Sequence, residues 1–287
     1  MPMDNIGYYN GQIGPIEDIR VPMDDRGGIF GDGVYDATMA YDRIVVNMEE
    51  HIARFFESAR LVRIPVPWSV EELSGLLTDL AGRVSARSKM VYWQATRGTG
   101  PRKHSFAGAS AGPNLWITVR PLELTPLDGS YSAITRPDLR YALCHVKTIN
   151  LLPNVLAAQE AAEHGCDEAI LMKDGLVTEG TRHNIHILKD GALHTAPCDH
   201  RILPGIARQH LLAHARRLSI PVMEQPFDVS ALMAADEVIM TSSASLCCAI
   251  RKVDGQAVGG RDSGTLKQLQ QAVYHEYLAD TGQIVPK

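Results

Sequence analysis

YALCHVKTINLLPNVLAAQEAAEHGCDEAILMKDGLVTEGTRHNIHI, residues 141–187, decides the reading of this chain. It opens on a mainly apolar, strand-like segment that ends on a single lysine, Lys147. A helix-patterned segment follows and is closed by Gly165. Two further strand-like runs flank Glu179-Gly180, with Lys173-Asp174-Gly175 as the turn between them. A lysine carried out of an apolar strand is costly as a cation, and an amine that is neutral can form a Schiff base. The plainer alternative is a strand-end lysine that snorkels into water, and the lysine alone favours it. Its surroundings shift the balance.

Upstream, residues 6–13 read as a hairpin turned at Asn10-Gly11, and the glycine-dense RGGIFGDGVY (26–35) bends into the strand-like VYDATMAY. The turn Asp42-Arg43 reverses the chain. Asn47 with Glu50 and Ser69 with Glu72 form two capping-box patterns. The first opens a helix whose apolar stripe is Met48, Ile52, Phe55, Phe56, Ala59 and Val62, with Arg54 off the stripe beside His51 and Ser58. The second helix is expected to run to about Val84. Strands follow at 90–97 and 115–119, joined by the loop GTGPRKHSFAGASAGP. Downstream of the central stretch come the hairpin HILKDGALHTA, a helix after Pro204-Gly205 and a strand at 221–224. A short helix near 228–233, a strand at 237–241, a hairpin around Asp254-Gly255 and a terminal helix complete the pattern. This mixture is α+β. Residues 1–120 form a small N-terminal α/β domain, PLELTPLDGS (121–130) a linker, and 131–287 a larger C-terminal domain carrying Lys147.

The 287 residues suffice for one large or two modest domains, and 45% apolar with 21% charged residues is an ordinary globular balance. A net charge of -5 argues against nucleic acid or an anionic membrane as partner, so any anion site is local and built by a few arginines. No apolar run approaches bilayer length, and the N-terminus lacks a signal-peptide pattern. The five cysteines include no C-x-x-C pair, and Cys247 and Cys248 are adjacent, which reads as reduced thiols in the cytoplasm.

Several residues carry candidate chemistry. Glu179 can accept from a protonated ring nitrogen, although most glutamates near turns cap a loop or pair with an arginine. Gly205, Ile206 and Ala207 open a helix whose amides and dipole suit a phosphate, and Ser242, Ser243 and Ser245 offer hydroxyls to the same anion. Arg102 and His104, two apart in an extended loop, can converge on one carboxylate, and Tyr35 can join them. Against these stand ordinary helix initiation, a serine-rich turn and a solvated basic loop. Eleven histidines yield no H-E-x-x-H or comparable metal pattern, and His210 and His214 read as surface or packing residues. No nucleophile elbow, G-x-x-x-x-G-K-[ST] or G-x-G-x-x-G appears.

RGGIFGDGVY, EEHIARFFESARLVRI, QATRGTGPRKHSF, VKTINLLPNVLAAQEAAEHGCDEAILMKDGLVTEG and ILPGIARQHLL resemble, in order, the blocks of fold type IV pyridoxal-phosphate aminotransferases, nearest the bacterial D-amino acid aminotransferases. The likeness runs from about residue 8 to residue 255. It implies pyridoxal 5'-phosphate as cofactor, a homodimer, and ping-pong exchange between D-amino acids and 2-oxo acids through pyridoxamine phosphate. By the same resemblance Lys147 carries the cofactor as a Schiff base and moves the proton. Glu179 pairs with the pyridine nitrogen and Leu203 packs on the ring. Arg54, the backbone of Ile206 and Ala207, Ser243 and Ala244 hold the phosphate, and Tyr35, Arg102 and His104 trap the substrate carboxylate. Two departures stand out. Thr181-Arg182-His183 precedes Asn184 where small residues are usual, and Leu246-Cys247-Cys248 follows the serines. An Arg or His near the active-site mouth can alter which substrate side chain fits or recruit a second carboxylate. Neighbouring activities of the same fold are branched-chain L-amino acid transamination, (R)-amine transamination and aminodeoxychorismate lysis. A catalytically silent binding protein and a plain α+β binding domain are the alternatives outside it.

Overall fold

Positive φ at both Asn10 (45°) and Gly11 (95°) reverses the chain between β1 (Ile6–Tyr9) and β2 (Gln12–Gly14), the twist a two-residue hairpin needs. The computed structural model describes residues 3–109 and 112–285, so Ser110 and Ala111 of the arginine–histidine loop lie outside it. The glycine-dense stretch is helical: α1 (Arg26–Phe30) starts at Asp25, whose side chain accepts from the Gly27 amide and offsets the two glycines. Next come β3 (Gly33–Tyr41), β4 (Ile44–Val45), α2 (Met48–Leu61), α3 (Val70–Arg83), β5 (Ser88–Thr96) and β6 (Asn114–Pro121). Their sheet is wholly antiparallel, in the order β2-β1-β6-β5-β3-β4.

The two helices bury Ile52, Phe55, Leu73, Leu77 and Leu80 in one cluster with Val91, Trp93 and Ile117 of the sheet. Each such side chain contributes about 1.5–3 kcal/mol by leaving water. The two capping predictions divide. Ser69 accepts from the Glu72 amide and Glu72 reaches back to the Ser69 amide, so that box forms. Asn47 does not cap α2, because it takes the left-handed conformation (φ 50°) to turn the chain out of β4. A capping side chain needs extended backbone to reach back to the first-turn amides.

The second unit contains β7 (Tyr131–Pro137), α4 (Leu152–Glu163), β8 (Glu168–Lys173), β9 (Leu176–Gly180), β10 (Asn184–Lys189) and β11 (Ala192–Thr195). It continues through α5 (Ile206–Arg217), β12 (Val222–Glu224), α6 (Val229–Met233), β13 (Glu237–Thr241), β14 (Cys248–Val253), β15 (Gln256–Ala257) and α7 (Ser263–Asp280). The main path of the sheet is β12-β11-β10-β13-β14-β7-β8-β9, with β15 paired to β14. Three neighbouring pairs are parallel, β11/β12, β14/β7 and β7/β8, and the rest antiparallel. Helix α5 lies in sequence between β11 and β12, and α4 between β7 and β8, as parallel neighbours require a crossover. β7, just past the 121–130 linker, and the short α1 are elements the sequence pattern did not mark.

The chain divides into two units, one with residues up to Leu124 plus Val146–Asn150 and Asp280–Gln283, the other with Thr125–His145 and Leu151–Ala279. Two expectations for the central stretch need correcting. Residues 141–147 are turns and coil, not a strand: the Leu143 amide donates to the Tyr141 carbonyl and the Cys144 amide to the His200 carbonyl, with no ladder to extend. Tyr141 and Leu143 are exposed, so the apolar composition does not mark burial here. Lys147 moreover groups with the first unit rather than with the C-terminal one, because residues 147–149 pair with the start of β3.

Candidate active site

In the first unit the geometry begins at the edge of β3. β5 pairs along its whole length, whereas β4 covers only Ala40 and Tyr41 on the other side. The open positions take residues 147–149 instead. The Tyr35 amide donates to the Lys147 carbonyl (2.9 Å) and the Ile149 amide to the Gly33 carbonyl (3.1 Å). The Lys147 amide donates to Ser58 Oγ of α2 at 3.2 Å. These bonds set the Lys147 side chain across Tyr35, with Nζ 4.3 Å from the ring centroid, and Tyr35 in turn stacks on Tyr92 at 5.3 Å. Lys89 on β5 makes the contrast. Its ammonium is buried and donates to the carbonyls of Asp42 (2.9 Å), Ala81 (2.8 Å) and Val84 (3.1 Å), which uses all three of its protons. Lys89 is structural, while Lys147 is half-buried and faces an aromatic ring.

Arg54 sits on α2 one turn beyond His51, and both converge on Asp36 of β3. Arg54 donates through Nε (2.9 Å) and Nη2 (2.7 Å) to the two Asp36 oxygens, and His51 Nδ1 lies 2.7 Å from Asp36 Oδ1. Burial pushes the Asp36 carboxyl up, but Arg54 and His51 outweigh it and hold the group far below the usual carboxylate range. Burial lowers the pKa of His51 against the pull of Asp36. Arg102 and His104 are exposed and meet at Phe30: the His104 ring is 5.3 Å from it and the Arg102 guanidinium 5.7 Å. Arg26 anchors their loop by donating to the Lys103 carbonyl at 2.7 Å. Thus the first unit gathers Lys147 with Tyr35, Arg54 with Asp36, and Arg102 with His104.

In the second unit Glu179 is buried at the end of β9. It accepts from Arg140 Nη1, from Asn184 Nδ2 (3.0 Å) and from the Leu203 amide (3.1 Å to Oε2). Arg140 also donates to both oxygens of Asp138, at 2.9 and 2.7 Å. Burial works against the Arg140 charge, but Asp138 and Glu179 raise its pKa and keep the cation. The arginine pairing foreseen as the plain reading of Glu179 is therefore present, within a network that satisfies a buried anion. Asn184 Nδ2 donates as well to the Leu203 carbonyl at 3.0 Å, fixing the chain just before α5. Ile206, which is buried, and Ala207 open α5 behind Gly205, which has no side chain to cover the helix end. A Cβ on Gly205 would stand 2.0 Å from Asn184 Oδ1. Ser243 and Ala244 lie in the turn after β13, where the Thr125 amide donates to the Ala244 carbonyl at 2.8 Å.

The pattern reading missed Asp36, His51, Arg140, Asn184 and the partners of His183. Asp36 was detectable, since it shares the buried phase of β3 with Val34, Thr38 and Ala40 and a carboxylate there demands a partner. Arg140 left no such signal, because residues 138–140 lie in an irregular segment. His183 is not at an exposed mouth. It is buried, with Nδ1 on Glu168 and Nε2 3.0 Å from Ser245 Oγ. His210 and His214 both face Glu276 Oε2 of α7, at 2.8 and 2.9 Å, and tie two helices together.

The first unit carries a six-stranded antiparallel sheet and the second a nine-stranded mixed one. A family model for Amino-transferase class IV matches residues 33–253, and the chain belongs to that family. It is 37% identical over 276 residues to a D-alanine aminotransferase of Staphylococcus epidermidis, covering 94% of this chain and 97% of the relative. It is 35% identical over 280 residues to a D-alanine aminotransferase of Bacillus licheniformis, covering 96% and 99%. Among solved structures, the branched-chain amino acid aminotransferase from Escherichia coli superposes with a TM-score of 0.85 at 27% identity, over 99% of this chain and 97% of that one. The fold type IV expectation is borne out.

Proposed function

We propose that this aminotransferase exchanges the amino group between D-amino acids and 2-oxo acids with pyridoxal 5'-phosphate, as a homodimer in the cytoplasm. The observation that carries the reading is the full-length likeness to the two D-alanine aminotransferases. The chain's donor set fits the cofactor: an amine set over the Tyr35 ring at Lys147, a carboxylate hydrogen-bonded by Arg140 and Asn184 at Glu179, and a helix start left open by Gly205. When bound, the cofactor supplies an electron sink for the bond broken at the substrate α-carbon.

Lys147 Nζ would hold the cofactor through its aldehyde group with loss of water and, once the substrate amine has displaced it, would serve as the base that moves the α-proton. Glu179 accepts the hydrogen bond of the pyridine N–H and, backed by Arg140 and Asn184, keeps that nitrogen protonated. Leu203 packs on the ring. Arg54, the amides of Ile206 and Ala207, Ser243 and Ala244 hold the phosphate. Asp36 presents the Arg54 guanidinium from its rear. Tyr35, Arg102 and His104 hold the α-carboxylate and so decide which face of the α-carbon meets Lys147.

Visible absorbance of the holoenzyme tests this. D-Alanine should bleach the cofactor band while L-leucine and (R)-1-phenylethylamine leave it; Lys147→Ala should abolish turnover, and Arg102→Leu should weaken D-alanine alone. Bleaching by L-leucine, or undiminished turnover in Lys147→Ala, refutes the assignment.

A further inference from the structure

His183 is buried, and its surroundings give it a second partner besides Glu168. The imidazole bridges two elements of the second unit, the start of β8 and the turn that follows β13. On one side Glu168 is buried and fully engaged. Its Oε1 accepts from the Thr181 amide (2.9 Å), the Thr181 hydroxyl (2.5 Å) and the Ala169 amide (2.7 Å), and its Oε2 meets His183 Nδ1. Burial pushes the Glu168 pKa up, but the His183 and Thr181 contacts bring it below the usual value.

On the other side, His183 Nε2 is 3.0 Å from Ser245 Oγ, and Ser245 Oγ reaches Thr125 Oγ1 at 3.2 Å. Ser245 is buried and closes the turn from within. Its amide donates to Ser242 Oγ at 3.2 Å, the Leu246 amide donates to the Ser242 carbonyl at 2.8 Å, and Leu246 is held at φ 47°. A β-branched or long aliphatic residue takes that conformation only under constraint. The turn therefore has a defined shape with two anchors under Ser245, Thr125 and the ring of His183, and only His183 ties it to β8 through Glu168.

We propose that His183 is a positioning residue for the Ser242–Ser245 turn, and through it for the phosphate monoester end of the cofactor. The proposal rests on the reading that Ser243 and Ala244 of this turn hold the phosphate. On this reading His183 acts through the turn, by way of Glu168 and Ser245. It transmits the fixed position of β8 to a loop otherwise held by its own hydrogen bonds and by Thr125.

Two isosteric variants separate the two ends of the ring. His183→Asn places an amide where Nδ1 stands, keeping Glu168 partnered and losing the reach to Ser245. His183→Gln extends to the Nε2 position and keeps Ser245. Apoenzyme prepared from each holoenzyme is titrated with pyridoxal 5'-phosphate and with pyridoxal, which lacks the phosphate, and binding is read by tryptophan fluorescence rather than by turnover. His183→Asn should weaken pyridoxal 5'-phosphate about tenfold, the effect of one well-placed hydrogen bond, with pyridoxal affinity unchanged. His183→Gln should restore most of that loss. Equal weakening of both ligands, or none of either, overturns the proposal. Ser243→Ala run in parallel separates the underlying reading. If Ser243→Ala weakens the phosphorylated ligand selectively and His183→Asn does not, the phosphate turn stands and the role of His183 falls. If neither variant discriminates, the turn does not hold the phosphate and both fall together.

Discussion

Replacing Gly205 by alanine isolates one steric contact in the second unit, beside the hydrogen bonds that hold Glu179. The backbone there (φ -68°, ψ 135°) suits any residue, so the chain itself tolerates the change. The cost comes from the new Cβ, 2.0 Å from Asn184 Oδ1. Asn184 is buried and cannot simply swing aside, because its Nδ2 donates to both Glu179 and the Leu203 carbonyl. A hydrogen bond to a charged group contributes about 1.5–3 kcal/mol and one to a neutral carbonyl about 0.5–1.5 kcal/mol. Displacing the amide should therefore destabilise the protein by about 2–4.5 kcal/mol, or roughly 5–15 °C in Tm for a chain of this size. The assay is a double-mutant cycle read by urea unfolding, with Gly205→Ala, Asn184→Ala and the double variant. Once Asn184 is truncated the clash is gone, so the double variant should be scarcely less stable than Asn184→Ala alone. Additive losses would refute the reasoning, since the cost would then lie in the backbone or elsewhere.

Two further predictions concern buried charge. His186 lies between the hydroxyls of Thr195 and Thr241, and burial, with the Arg208 charge, pushes its pKa from 6.5 down to about 3. The unfolded chain takes up a proton that the native one refuses, so this residue's contribution to stability falls as pH drops from 6.5 toward 3, by about 1.4 kcal/mol per unit. His186→Gln should lose less stability than the wild type between about pH 7 and about pH 4.5, by about 2–3 kcal/mol, and parallel pH–stability curves would contradict it. Asp36→Ala leaves the Arg54 guanidinium and His51 without their shared carboxylate, and should cost about 3–5 kcal/mol in chemical unfolding. A loss under about 1 kcal/mol, the range of a surface ion pair, would show that water replaces the carboxylate.

By itself the sequence determined the parts whose physics is local. Asn10-Gly11 made its hairpin, Ser69-Glu72 its capping box, and Pro204-Gly205 its helix start, because each depends on a few neighbouring residues. The ordered blocks also determined the family, and with it the fold type. Tertiary structure decided what depends on partners far along the chain. Apolar composition suggested a strand at 141–147, but a strand exists only against a ladder, and the free positions of β3 begin at Lys147 instead. Asn47 had the capping residues yet the exit from β4 took its backbone left-handed. His183 read as a residue at the mouth, and only the folded sheet brings Glu168, 15 residues back, and Ser245, 62 residues on, to the two nitrogens of its ring. Local propensity is written in neighbouring residues, whereas a buried polar group's role is set by whichever distant donors and acceptors the fold delivers to it.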